Sequence, residues 1–160
     1  MIKLLIVSLF TLSLAGCAGY APTDRLLGQS RDDVLHVLGN PAKEITLNGE
    51  TTLHYPRGPA GTDTYFVTLG PDGTVLRWEQ VLTEENFARI TPGMHKDAVL
   101  ALIGTTAIVN GLARNRGTVW SYRYPTFECR SFMIEFTSED TVRSTEYRLR
   151  SGRQCRKVGL

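Results

Sequence analysis

The fold is decided by the stretch Ile90-Thr91-Pro92-Gly93-Met94-His95-Lys96-Asp97-Ala98-Val99-Leu100-Ala101-Leu102-Ile103-Gly104. It predicts an entry turn, a short amphipathic helix and a glycine that ends the helix. Shifting the sequence by 65 residues superposes Gly28 on Gly93 and Gly39 on Gly104. A self-match of this length predicts a duplicated structural unit.

Each helix is followed by a pattern that predicts three strands. In the first copy these are residues 51–55, 64–69 and 74–82, and Gly70-Pro71-Asp72-Gly73 marks the last turn. A constant shift of 67 residues carries their inward positions onto the second copy: Leu53 on Trp120, Tyr55 on Tyr122, Val67 on Ile134 and Val75 on Val142. We therefore expect an α+β fold with two tandem helix-plus-three-strand units, which form one antiparallel sheet with the helices on one face.

The chain divides into five expected segments. Residues 1–16 form a lipoprotein signal peptide, residues 17–25 a lipidated tether, residues 26–82 the first repeat, residues 83–149 the second repeat and residues 150–160 a C-terminal tail. The length suits one modest domain or two small units that share a core.

The weak charge balance argues against a nucleic-acid-binding protein. The formal net charge is +2, and it falls to +1 without residues 1–16, in which Lys3 is the only charged residue. Nucleic-acid-binding proteins usually carry a basic stripe. Basic residues do gather at the C-terminus, which indicates either a solvated tail or a contact with an anionic surface: Arg148, Arg150, Arg153, Arg156 and Lys157.

The N-terminus has the organisation of a secretory signal. Lys3 precedes an apolar run over residues 4–14, which is too short for a spanning helix and ends at Leu14-Ala15-Gly16-Cys17. This tetrapeptide resembles a bacterial lipobox, which implies cleavage before Cys17 and attachment of lipid to its sulfur. By the same resemblance, Ala18 implies outer-membrane sorting on the periplasmic side. The alternative is an ordinary signal peptide with an incidental cysteine.

Two further cysteines, Cys129 and Cys155, enclose 25 residues. In an oxidising compartment such a pair predicts a disulfide, which would contribute roughly 3 kcal/mol on a loop-entropy estimate. A reactive or metal-binding pair is the alternative. The sequence carries no Cys-x-x-Cys motif, and His36, His54 and His95 do not have ligand spacing.

We find no catalytic constellation and no motif for a cofactor or metal. The glycine-rich residues 58–61 lack a following Lys-Ser/Thr, and no serine stands in a Gly-x-Ser-x-Gly setting. We therefore expect a non-catalytic protein without a cofactor.

A group of aromatic and arginine residues is the candidate surface for a partner protein, because both residue types are enriched at interfaces. Each aromatic ring could instead pack in the core, as the repeat register predicts for Trp120 and Tyr122. The candidate surface residues are Arg77, Trp78, Arg123, Tyr124 and Phe127.

The second unit resembles the SmpA/OmlA (BamE-type) family of outer-membrane lipoproteins. The resemblance covers residues 84–149 and is carried by residues 89–94, Val99, residues 102–104, Trp120-Ser121-Tyr122 and residues 133–136. The tandem arrangement is similar to β-lactamase inhibitor protein. The sequence departs from the family pattern at Thr105-Thr106 and in having two units.

The family resemblance implies a lipid-anchored accessory module for outer-membrane protein assembly or envelope maintenance, with the β-barrel assembly machinery as an expected partner. The tandem arrangement implies the alternative, a periplasmic inhibitor or binding protein for a hydrolytic enzyme. Such an inhibitor would insert a loop, such as residues 56–63 or 125–130, into a cleft of its partner.

Overall fold

A computed structural model describes residues 21–58 and 61–150 of the chain. The first unit contains α1 (Arg31–Leu38), β1 (Lys43–Leu47), β2 (Glu50–Arg57), β3 (Asp63–Leu69) and β4 (Val75–Gln80). The second contains α2 (Glu84–Ala88), α3 (Lys96–Ile103), β5 (Ile108–Gly111), β6 (Thr118–Arg123), β7 (Arg130–Phe136) and β8 (Val142–Leu149). Short 3-10 turns occupy Asp24–Leu26 and Ala113–Asn115. Within the described residues, no helix is both long and apolar enough to cross a membrane.

The expected mixed α+β class is observed, but the sheet organisation differs from the prediction. The strands form two separate antiparallel sheets, in the orders β1-β2-β3-β4 and β5-β6-β7-β8. The prediction of one sheet with three strands per unit is therefore wrong. Each unit adds an N-terminal edge strand, and the chain passes through α2 and α3 between β4 and β5 without pairing these two strands.

A side chain caps the start of each α-helix. At the start of α1, the Asp33 N–H donates to Ser30 Oγ, and Asp33 Oδ2 accepts from the Ser30 N–H at 3.1 Å, which completes a capping box. At the start of α3, His95 Nδ1 accepts from the Asp97 N–H at 3.3 Å. Thr83 caps α2 in the same way. These caps satisfy N–H groups that a helix cannot pair internally.

Each unit contains the same kind of tyrosine-to-glycine hydrogen bond. The Tyr55 hydroxyl donates to the Gly39 carbonyl at 3.1 Å, and the Tyr122 hydroxyl donates to the Gly104 carbonyl at 2.9 Å. Both glycines end a helix at positive φ, near 78° and 74°. Each tyrosine on the second strand of its sheet therefore holds the C-terminus of its own helix, as the two shifts of 65 and 67 residues require.

The hydrophobic residues form two clusters. In the first, α1 packs on one face of the β1–β4 sheet: Leu26, Val34, Leu38, Leu53, Tyr55, Val67, Leu69 and Val75. The second contains the apolar side of α3, residues of β6, β7 and β8, and also Phe66 from β3. Phe66 is thus a residue of the first sheet that packs with the second unit.

The helices do not lie on one face of the sheets. Leu53 and His54 are neighbours on β2, so their side chains lie on opposite faces. Leu53 packs with α1, whereas His54 stacks on Phe66 at 3.9 Å, close to Gly104 at the end of α3. Helices from the two units therefore approach the first sheet from opposite sides, because each face presents apolar surface that must be covered.

Candidate functional site

The loop between β6 and β7, residues 124–129, is the candidate functional site. Phe127 at its tip is 97% exposed, the highest value among the large hydrophobic side chains of the described residues. Removing a phenylalanine ring from water by covering it with a partner is favourable. The position of Phe127, which was one of the predicted surface residues, therefore favours a contact with another molecule.

Backbone and side-chain hydrogen bonds hold the loop at both ends. The Glu128 N–H donates to Thr126 Oγ1 at 3.4 Å, and the Cys129 N–H donates to the Thr126 carbonyl at 3.4 Å. The Arg150 N–H donates to the Cys129 carbonyl at 2.9 Å, which ties the loop to the end of β8. Threonine in such a turn replaces strand pairing with local bonds. Phe127 therefore stands on a turn with a defined backbone.

Tyr124 forms the buried base of the loop. Its side chain is 4% exposed, and its ring meets the Phe87 ring edge-on at 5.1 Å. Its hydroxyl donates to Glu84 Oε1 at 3.0 Å. Burial, and then the bond to Glu84, raise the pKa of Tyr124 to about 12, so it remains a neutral donor at physiological pH. Tyr124 is thus a core residue of the second unit and not the exposed contact residue that the sequence predicts.

An ion-pair network connects the loop to neighbouring elements. Arg130 Nη2 lies 3.4 Å from Glu84 Oε1, and Arg130 Nε lies 2.8 Å from Glu128 Oε2. The Arg130 guanidinium also lies 5.5 Å from the centre of the Tyr147 ring. Pairs as exposed as these contribute little stability each, so their main effect is to orient the loop against α2 and β8.

A cavity of about 370 Å³ lies beside Phe127, between the loop and residues 80–84. It combines apolar walls with one carboxylate and several neutral polar groups. A side chain of a partner could enter it while the partner covers Phe127. Its lining residues are Gln80, Leu82, Thr83, Glu84, Tyr124, Pro125, Thr126 and Phe127.

The other predicted surface residues lie outside this cavity. Arg77 and Trp78 are on β4, where Arg77 Nη2 pairs with Glu50 Oε2 at 2.9 Å. Trp78 is half-buried against the first cluster and donates from Nε1 to Asp24 Oδ1 at 3.2 Å. Arg123 ends β6 and is half-buried. The structure thus brings Tyr124 and Phe127 together and places Arg77 and Trp78 in the other unit.

Glu84 is a site residue that the sequence argument missed. Thr83 caps α2, which places Glu84 in the first turn of that helix, where an acidic residue is ordinarily explained by the helix dipole. Its contacts with Tyr124 and Arg130 join residues 40 and 46 positions apart. No local pattern predicts pairs at that separation.

Two cysteine predictions remain predictions. Cys17 and Cys155 lie outside the described residues, so neither the lipid attachment nor the Cys129–Cys155 bond is tested. Cys129 itself lies in the loop at positive φ, 56°. Across residues 21–58 and 61–150, no group of three or more His, Cys, Asp or Glu side chains could hold a metal ion.

Comparison with known proteins assigns no family. No family model matches the chain, and no curated protein matches it. The SmpA/OmlA resemblance therefore remains a prediction.

Solved structures show only distant likeness. A putative β-lactamase inhibitor protein from Streptococcus mutans is 12% identical at TM-score 0.34, over 74% of this chain and 82% of that one. A DUF4309 family protein, YjgB, from Bacillus subtilis is 13% identical at TM-score 0.31, over 82% and 88%. An extracellular protein with an SCP domain from Bacillus anthracis is 10% identical at TM-score 0.33, over 80% of this chain but 45% of that one. Likeness at this level identifies neither a family nor an activity.

Proposed function

We propose that this protein is a non-catalytic binding module of the bacterial envelope, anchored to the outer membrane through lipid on Cys17. The loop of residues 124–129 binds a protein partner on the periplasmic side. The observation that carries this proposal is Phe127, which stands 97% exposed on a turn whose base is packed and hydrogen-bonded.

The energetics favour a contact of this kind. Covering one phenylalanine side chain contributes about 1.5–3 kcal/mol to binding. The bonds to Thr126, Glu84 and Arg150 already restrict the loop, so binding loses less conformational entropy than it would with an unrestrained segment. An anchor at Cys17 adds a high effective concentration near membrane partners, which lets a small interface suffice.

Two partner classes follow from different observations. The resemblance of residues 84–149 to the SmpA/OmlA family favours the β-barrel assembly machinery. A single projecting aromatic residue beside a cavity favours the alternative, in which the loop enters a cleft of a hydrolytic enzyme and blocks it. The experiment below distinguishes the two by what is captured.

The test is site-specific photocrosslinking in cells. A benzoylphenylalanine in place of Phe127 should capture one envelope protein, whereas the same group in place of Leu76, an exposed residue of β4, should not. In the purified complex, Phe127→Ala should weaken binding by at least about tenfold. Leu76→Ala is the matched control and should leave the affinity unchanged.

The outcome decides between the classes. Capture of an assembly-machinery subunit supports the first, and capture of a hydrolase that the soluble domain inhibits supports the second. Identical products from both positions, or no effect of Phe127→Ala on the complex, would refute the binding role of the loop.

The anchor has an independent test. Cys17→Ser should move the protein from the outer-membrane fraction to the soluble periplasmic fraction. A wild-type protein that already fractionates as soluble would contradict the anchor and leave the loop proposal standing.

A further inference from the structure

β8 (Val142–Leu149) is an exposed strand at the edge of the second sheet. It has eight residues, whereas the other edge strands, β1, β4 and β5, have five, six and four. Val142 exchanges backbone bonds with Gly93 and Met94, but after Val142 the backbone of β8 pairs only with β7 among the described residues. A long edge strand presents a row of unpaired N–H and C=O groups to another strand.

The backbone groups that face outward belong to alternate residues of β8. The Arg150 N–H donates to the Cys129 carbonyl at 2.9 Å, so residue 150 directs its groups toward the neighbouring strand. In an antiparallel ladder every second residue does the same, which assigns the even-numbered residues of 144–148 to pairing with β7. Thr145, Tyr147 and Leu149 therefore direct their N–H and C=O groups away from the sheet.

Two copies of β8 can pair through these groups in an antiparallel register with Tyr147 opposite itself. Thr145 then lies opposite Leu149 of the second copy, and the outward groups form about six backbone hydrogen bonds across the interface. Glu146 lies opposite Arg148 of the second copy, and the same contact occurs twice because of the two-fold symmetry. These positions are non-hydrogen-bonded pairs, at which opposing side chains approach most closely.

The charges of β8 favour this register. Within one copy, Arg148 Nη2 lies 2.6 Å from Glu146 Oε1, and both side chains are more than half exposed. In the paired strands each glutamate also faces an arginine of the second copy, so four charges alternate in sign. Centring the register on residue 146 or 148 instead would oppose two glutamates or two arginines, which is destabilising. Arg150 falls opposite the uncharged Ser144.

The same edge carries exposed apolar surface. Leu149 is 70% exposed, and Tyr147 is also exposed although its ring packs 5.2 Å from the Phe132 ring. Both lie on the face opposite Glu146 and Arg148, since side chains alternate along a strand. A second β8 strand would cover part of each, which is favourable. Edge charges usually prevent strand association, but these are self-complementary.

The equivalent strand of the first unit lacks this pattern. The shift of 67 residues places Glu79 of β4 on Glu146, but it places Val81, which is 1% exposed, on Arg148. β4 also ends at Gln80, so it offers a shorter edge than β8. Glu79 is therefore a matched control position for Glu146.

We propose that β8 is a self-association surface, on which a second copy of this chain pairs antiparallel about Tyr147 and joins the two β5–β8 sheets into one. The interface consists of one strand from each copy, so it is small. We therefore expect a weak dimer in solution, with a dissociation constant on the order of 100 µM.

The test is sedimentation equilibrium of the mature chain from residue 17, with Cys17→Ser at the expected lipid site. The wild-type sequence should show a reversible equilibrium between monomer and dimer. A protein that remains monomeric at about 1 mM would overturn the proposal.

Charge reversal tests the register. Glu146→Arg and Arg148→Glu each place like charges opposite each other, so each should weaken the dimer by about tenfold or more. An equimolar mixture of the two variants should form heterodimers about as tightly as the wild type, because opposite charges face each other again. Glu79→Arg should leave the dimer unchanged. Unchanged dimerisation of both single variants, or a mixture that associates no more tightly than its components, would overturn the register.

The double variant with both charge reversals separates misfolding from repulsion. It again places opposite charges face to face, so it should dimerise like the wild type. A double variant that is folded by circular dichroism but as weak as the single variants would contradict the proposed pairing.

Nuclear magnetic resonance tests whether the copies meet through the strand edge. Between about 10 µM and 1 mM protein, the amide signals of Thr145, Tyr147 and Leu149 should shift more than those of Glu146 and Arg148, because only the first three N–H groups gain partners. Protection of these three amides from hydrogen exchange in the monomer would mean that a segment of the same chain covers the edge, which would overturn the proposal. These measurements involve neither Phe127 nor a partner protein, so their failure is distinguishable from failure of the loop proposal.

Discussion

Acid should destabilise the protein through His54, and the size of the effect follows from its environment. Burial and then Lys43 lower the pKa of this imidazole from 6.5 to about 4 in the folded state. The folded protein therefore resists protonation that the unfolded chain accepts. Stability is full above pH 6.5, decreases as the pH falls toward 4 and receives no further loss from this group below that value.

The expected loss is about 3 kcal/mol, at 1.36 kcal/mol per pH unit across the window. Since the side chain is 1% exposed, solvent screens its charge only weakly, and about 3 kcal/mol is the upper limit of the loss. A loss of that size is a large part of the stability of an ordinary domain, about 5–15 kcal/mol.

The assay is urea unfolding, followed by tryptophan fluorescence, at a series of pH values from 7 to about 4, for the wild type and for His54→Phe. The difference in unfolding free energy between the two proteins should change steeply between pH 6.5 and 4, because only the wild type has this group. Parallel pH profiles would refute the reasoning and would mean that His54 is hydrated or paired in the folded protein.

Surface carboxyl groups do not affect the difference between the wild type and His54→Phe. Hydrogen bonds from Ser30, Thr74 and Ser138, respectively, are the leading causes that lower the pKa of Asp33, Asp72 and Glu139. Their stabilising contribution is also lost as the pH falls, but it is present in both proteins and cancels in the difference.

Three further predictions concern the repeated architecture. Tyr122→Phe should lower the free energy of unfolding by about 1 kcal/mol or more, and by more than Tyr55→Phe does. The reason is that Gly104, whose carbonyl loses its partner, is buried, whereas Gly39 is partly exposed; equal losses in denaturant titration would contradict this. Gly117→Ala should prevent stable folding, since the φ of residue 117 is 124° and a Cβ there would lie 1.8 Å from the Phe136 carbonyl oxygen. In the control Gly111→Ala, the added Cβ meets no atom within 4 Å, so circular dichroism should show a folded protein. Ser30→Ala should cost about 1 kcal/mol through loss of the capping box, and Ser144→Ala on the exposed side of β8 should cost little in the same thermal unfolding measurement.

Local signals explain what the sequence could predict. The N-terminal caps and the glycine stops of α1 and α3 depend on contacts within a few positions, and both occur at equivalent positions of the two units. The shift of 67 residues also predicts Trp120 and Tyr122 as core, which is confirmed by their burial. Such positions are determined by strand alternation and turn chemistry.

The missed edge strands have different causes. β1 is followed by the turn Asn48-Gly49, and both residues have positive φ, 52° and 84°. An Asn-Gly pair is a strong hairpin signal, so β1 could have been predicted from the sequence. β5 is four residues long and mostly exposed. It also contains an Asn-Gly pair, Asn110-Gly111, but both residues pair within the strand and the chain turns later, so the same signal would have misplaced this hairpin.

The candidate site was only partly predictable because its residues change environment within a few positions. Tyr124 and Phe127 are three residues apart, yet one is buried and the other is exposed. Once a strand ends, alternation no longer assigns faces. The burial of Tyr124 depends on Phe87 and Glu84, which the chain brings to it from α2.

The two units are copies in their local structure but differ in what surrounds them. Gly39 and Gly104 end equivalent helices at similar φ, and each receives a tyrosine hydroxyl. A Cβ at Gly39 would meet no atom within 4 Å, whereas one at Gly104 would lie 3.2 Å from both Phe66 and Thr64 of the first sheet. Glycine is therefore needed at residue 104 for two reasons: the positive φ at the end of α3 and the close approach between the two units.

This close approach also explains a second cavity, of about 340 Å³, beside His54. The end of α3 contacts the sheet near His54 and Phe66, while Ala101, one turn earlier in the helix, lies above an open part of the same face. A small side chain at residue 101 leaves the space that a larger one would fill. The contact that joins the two repeats thus creates a polar-lined space that neither repeat contains alone.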